Sequence, residues 1–184
     1  YLQQRTVLDI ISRNSSVFLA LGNHDGEAEE YFDATDQNLA VKATLARKKY
    51  FPNPKPTSYY KGNTQVEDFV GHPQNYYAFE WGDALLVILD YYRYKNPDGL
   101  PSDHPWSWTL GKTQYDWFQQ TLANSKAKHK LVFAHHTNGI GRGGKAYSRL
   151  FEWGGHAPNG KYLFDEMRPG WGKSIHQIMK DNGV

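Results

Sequence analysis

Two apolar runs separated by only two residues most constrain how this chain can fold. Tyr76–Trp81 and Ala84–Asp90 flank Gly82-Asp83, a pair suited to the positive φ of a tight hairpin. The second run, Ala84-Leu85-Leu86-Val87-Ile88-Leu89, is apolar on both of its alternating faces, which predicts a central strand covered on two sides. The remaining pattern alternates helix and strand. A first helix is expected over 2–13 (Leu2, Val7, Leu8, Ile11), a strand over 17–21, and a second helix over 36–50 carrying Leu39, Val41, Leu45 and Ala46. Phe51-Pro52 stops that helix, and 53–74 reads as a long polar loop. A second long loop, aromatic and proline-containing, runs from Tyr91 to Leu110. A helix over 112–124 follows, with Tyr115, Phe118 and Leu122 inward and Gln114 and Gln120 off that face. Then come a strand over 130–134 and helices over 145–152 and 172–181. The expectation is an α/β layered fold.

Composition narrows the function classes. The 184 residues suit one domain with a sizeable core, and 39% hydrophobic with 22% charged residues lies far from the disordered regime. Formal net charge is only +2, and the densest basic patches, Lys48-Lys49 and Lys126/Lys128/Lys130, read as solvated surface, so no nucleic-acid footprint is evident. No stretch reaches transmembrane length, no signal-peptide pattern opens the chain, and cysteine is absent, so thiolate chemistry is excluded. Aromatic residues reach 15%, more than a core of this size is expected to bury, which suggests a ring-lined surface groove.

Chemistry concentrates at two strand ends. The run Val17-Phe18-Leu19-Ala20-Leu21 leads into Gly22-Asn23-His24-Asp25, and Leu131-Val132-Phe133-Ala134 leads into His135-His136. Gly22 relieves the backbone, Asn23 offers a carbonyl oxygen to a cation, and His24 offers a proton. Adjacent residues of a strand face opposite ways, so at most one of His135 and His136 is expected as a ligand. Other candidates are weaker. Arg142, in the glycine-rich loop 139–144, is a candidate contact to a phosphate oxygen, and Glu152, Trp153 and His156 are candidates for a pocket rim. Asp90 reads as a supporting or turn residue, Asp103-His104 as an ordinary loop, and Tyr91, Tyr92 and Tyr94 as rings that stack on a ligand or cover the sheet edge.

On Gly22-Asn23-His24-Asp25 and the strand ending in His135-His136, the chain resembles the calcineurin-like metallophosphoesterases, which include purple acid phosphatases and many phosphodiesterases. Asn75–Gly82, the Asp90 strand and Gly111–Phe118 resemble bacterial members, and Arg142-Gly143-Gly144 with Phe151–Gly155 resembles a secreted-type subset. The resemblance implies a four-layer α-β-β-α sandwich and hydrolysis of phosphate mono- or diesters, with a small phosphate ester as partner. It implies two divalent or trivalent metal ions (Fe, Mn or Zn) and a secreted or periplasmic location. It further implies Asn23 and one of His135 and His136, with His136 favoured, as ligands of the second metal. His24 would assist the leaving oxygen and Asp25 would orient His24. The family's upstream Asp-x-His and bridging-Asp motifs and its closing Gly-His-x-His motif have no counterpart here. Residues 1–184 are therefore expected to be a partial domain whose site is completed outside this segment. The alternative is a non-catalytic binding or structural module that keeps the fold without a full metal site.

Overall fold

The hairpin expected at Gly82-Asp83 organises the chain. The computed structural model describes residues 1–25, 35–95, 100–101, 104–136 and 147–184. Strands β1 (Lys61–Gly62), β2 (Tyr77–Trp81) and β3 (Ala84–Ile88) pair antiparallel, with Gly82 at φ 60° in the turn between β2 and β3. A two-stranded ribbon of β4 (Tyr94–Lys95) and β5 (Trp108–Thr109) interrupts the loop after β3. Beyond it, β6 (His129–Phe133) returns parallel to β3, giving the order β1-β2-β3-β6. A parallel return needs a crossover, and the helix Gly111–Asn124 lies on that connection. The apolar run 84–89 is thus central, as its composition dictates.

The two faces of the sheet differ. On one, Ala78, Leu85, Val87 and Leu89 pack against Tyr115, Phe118 and Leu122 of the crossover helix and against the C-terminal segment. That segment contributes Phe151 and Trp153, Phe164, and Ile175 and Ile178. On the other face Tyr77, Phe79 and Ile88 form a small cluster with Tyr60 and Leu86, and Phe18 lies over Phe79 with ring centroids 4.6 Å apart. By register, Trp81, Leu131 and Phe133 belong to this second face, where they stay 70%, 48% and 45% exposed.

In chain order the helices are α1 (Leu2–Ser12), α2 (Leu39–Tyr50), α3 (Gly111–Asn124), α4 (Phe151–Gly154), α5 (Phe164–Met167) and α6 (Ile175–Asp181). Several expectations need correction. Val17–Leu21 forms no strand ladder among the described residues. Side chains take up its backbone instead, with Leu19 O accepting from the Tyr77 hydroxyl at 3.0 Å and from Asn53 Nδ2 at 3.2 Å. Helix α2 buries Ala40, Val41, Thr44 and Arg47, while Leu39 and Leu45 face outward. Its Lys48 is not merely solvated, because Nζ donates to Val70 O. Helix α1 forms but buries none of its residues. The loop 53–74 contains β1, and α6 begins later than expected because Ser174 caps it by accepting from Gln177 N at 3.4 Å. Among the described residues, no helix is long and apolar enough to cross a membrane.

Candidate functional site

Gly22–Asp25 folds into a turn that closes on itself. Asp25 N donates to Gly22 O at 3.1 Å, and Gly22 N donates back to Asp25 Oδ2 at 2.8 Å. The other carboxylate oxygen accepts from the Tyr1 hydroxyl at 3.3 Å. Asp25 therefore holds the turn, Asn23 is half-buried, and His24 is exposed. Glycine at position 22 is not required by a left-handed backbone, which corrects the expected reason for it. A Cβ there would lie 3.2 Å from the His135 ring, so the requirement is close approach of the second motif to the first.

That approach brings the two motifs together across more than a hundred residues. β6 ends at Phe133, whose carbonyl still accepts from Leu89 N at 2.9 Å, and the chain then bends. Beyond the last strand residue the period-two alternation no longer applies. His135 and His136 stack instead of facing apart, with centroids 4.3 Å and planes 21° apart. His136 Nδ1 lies 2.6 Å from the Tyr92 hydroxyl.

A buried polar scaffold carries this arrangement. Tyr92 N donates to Asp90 Oδ1 at 2.9 Å, and Asp90 Oδ2 accepts from Asn75 Nδ2 at 3.0 Å. Asn75 Oδ1 in turn accepts from Asn63 Nδ2 at 2.8 Å. Gln114, expected off the buried face of its helix, is fully buried and reaches the end of β3 like an extra strand: Oε1 accepts from Asp90 N at 2.9 Å and Nε2 donates to Asp90 O at 2.8 Å. Arg47 donates to the Gln74 and Pro73 carbonyls, and Arg93 pairs with Glu67 and Thr44. Burial lowers the Arg47 pKa, and the nearby Asp90 charge opposes that shift. An open groove of about 530 Å³ is lined by Asp25 together with Val7, Leu8, Leu19, Phe51 and Arg47 among others.

The other sequence candidates separate from this site. Arg142, with its glycine loop, and Asp103 lie outside the described residues. Glu152 is not a rim residue. It is 1% exposed and ion-paired to Arg168 at 2.6 Å, and it accepts from Thr109 Oγ1 and Leu110 N at 2.6 and 2.9 Å. Trp153 is buried in the main core with Tyr91, so both pack and neither lines a groove. His156 points Nδ1 at the Gly154 and Arg149 carbonyls. His104 caps the turn Pro105–Ser107 by accepting from Trp106 N at 3.3 Å. Tyr92, Arg47, Asn75 and Gln114 are the residues that sequence reasoning did not assign to the scaffold. Only the polar character of Gln114 and Asn75 beside apolar runs marked them.

The candidate donors on these two segments are one amide oxygen (Asn23) and two imidazoles (His135, His136). With the Asp25 carboxylate engaged by the turn, they fit part of a metal shell rather than a complete one. Among the described residues, no group of three or more His, Asp or Glu side chains is placed to hold a metal ion. Comparison of the chain with protein-family models, with curated proteins and with solved structures found no match.

Proposed function

We propose that this chain is part of a metal-dependent phosphoesterase of the calcineurin-like kind, hydrolysing phosphate mono- or diesters at a binuclear site completed by residues outside this segment. One observation supports the reading: the His135 ring lies against Gly22, which sets the Asn-His-Asp turn beside the histidine pair. The apolar second face of the sheet supports the α-β-β-α sandwich, since a second sheet laid over Leu131, Phe133 and Phe18 would bury what is now exposed.

Asn23 would give its amide oxygen to the second metal. His135 is assigned the imidazole ligand in place of His136, because it abuts the turn whereas His136 is engaged by Tyr92. Metal ions bound there would activate a water and neutralise charge developing on the phosphate. His24, exposed at the turn, would give a proton or hydrogen bond to the leaving oxygen. Asp25 fixes the turn that carries it. Arg142 would add a contact to a phosphate oxygen.

The test is hydrolysis of p-nitrophenyl phosphate and its bis-ester by the full-length protein. His24→Ala is expected to lower turnover by about 10²–10⁴-fold, and unchanged turnover would refute the assignment. The competing reading, a non-catalytic module, draws on the partial donor set. It leads if the full-length protein holds no metal and turns over neither ester.

A further inference from the structure

The two stacked histidines differ in what holds them. Tyr92, only 4% exposed, sits between Trp108 and the histidine pair, its ring centroid 5.2 Å from Trp108 and 5.7 and 6.1 Å from His135 and His136. Its backbone is pinned to the Asp90 carboxylate at 2.9 Å. A buried hydroxyl has one proton to donate, and leaving it undonated carries a desolvation cost. The acceptor that the geometry supplies is His136 Nδ1, at 2.6 Å. A neutral imidazole that accepts at Nδ1 carries its proton on Nε2 and has no second lone pair for a metal.

We propose that Tyr92 is a positioning residue that holds His136 in the Nε2–H form, so that His136 donates a hydrogen bond to a phosphate oxygen of the substrate instead of ligating metal. The proposal rests on the phosphoesterase reading and divides the labour of the pair. His135 and His136 stack at 4.3 Å, so a metal ligated by His135 and a phosphate oxygen accepting from the N–H of His136 would be held side by side. The class of ligand recognised by this second ring is thus an ester that keeps a non-bridging anionic oxygen, as both phosphate mono- and diesters do.

The test has two arms on the full-length protein. In the metal-free, ¹⁵N-histidine-labelled protein, at a pH about two units above the ordinary imidazole value, long-range proton–nitrogen correlation is expected to show His136 protonated at Nε2 alone. Tyr92→Phe should shift the Nδ1 resonance. An Nδ1–H form in the unsubstituted protein would overturn the proposal. In the second arm, His136→Gln is expected to retain its metal while KM for p-nitrophenyl phosphate rises roughly tenfold. Tyr92→Phe should move KM in the same direction by a smaller factor. Metal loss or an unchanged KM in His136→Gln would overturn the donor role. Full metal content and activity in both His135→Gln and His136→Gln would instead overturn the phosphoesterase reading of this site, leaving the nitrogen resonances to decide the Tyr92 pairing.

Discussion

Single atoms decide whether the two motifs can share a site. Replacing Gly22 with Ala would place a methyl group 3.2 Å from the His135 ring, tight enough that the ring must give by a few tenths of an ångström. The backbone at position 22 is ordinary, so the substitution carries no left-handed strain and should change stability by under about 1 kcal/mol. On the proposed phosphoesterase reading, turnover should nevertheless fall by about 10-fold or more, because His135 displaced from the turn would lose its aim. Parallel thermal melts and phosphate-ester kinetics on Gly22→Ala check this, and equal activity at equal stability would contradict it. At this scale the candidate residues were legible. Asn23, His24 and the two histidines stand out because polar groups interrupt apolar runs. Their partners were not legible: Tyr92 and Glu152 resemble surface residues in one dimension, and only the folded chain brings Nδ1 of His136 or the guanidinium of Arg168 to them.

Elements follow periodicity where burial is one-sided, and depart from it where polar side chains do the packing. The β2–β3 hairpin and the Tyr115-Phe118-Leu122 stripe of α3 lie where their patterns place them. Helix α2 escaped that logic because its inward face carries Thr44 and Arg47, whose guanidinium binds loop carbonyls. Val17–Leu21 reads as a strand, yet its carbonyl at Leu19 is taken by side chains. Helices α4 and α5 are joined by charge as well as by the apolar core. Glu152 of α4 accepts from Arg168 just after α5, from Thr109 of β5 and from Leu110 N at the start of α3. Arg168 also donates to Trp106 O at 2.6 Å and lies over the Trp106 and Trp171 rings. Glu152→Ala should cost about 3–5 kcal/mol, since it removes the counter-charge of the buried Arg168 and the acceptor of Thr109 Oγ1 and Leu110 N. Denaturant unfolding measures this, and a loss below about 1 kcal/mol would show that the clamp does not bind these elements together.

For the whole molecule, part of the aromatic content that suggested an exposed groove is core. Tyr76, Tyr77 and Tyr91 are buried, and burial raises the pKa of each, that of Tyr76 to about 12. A tyrosine in the unfolded chain releases its proton near the ordinary value of about 10, while these folded ones keep theirs. The unfolded state then binds fewer protons, so stability is fully present below about pH 10 and falls as pH rises above it. The slope is up to about 1.4 kcal/mol per pH unit for each such hydroxyl. Phenolate absorbance should accordingly show a late class that ionises together with the loss of ellipticity. Smooth ionisation of all thirteen tyrosines in the folded protein would contradict this burial.

The same scale holds the central claim, that the turn at Gly22–Asp25 and the bend at His135-His136 form one metal-centred phosphoesterase site together with ligands from beyond this segment. The most direct measurement is the Fe, Mn and Zn content of the full-length protein, unsubstituted and carrying Asn23→Ala. The expected result is about two metal ions per chain, falling toward one when the amide oxygen is removed. Sub-stoichiometric metal in the unsubstituted protein, or a content that Asn23→Ala leaves unchanged, would contradict the claim.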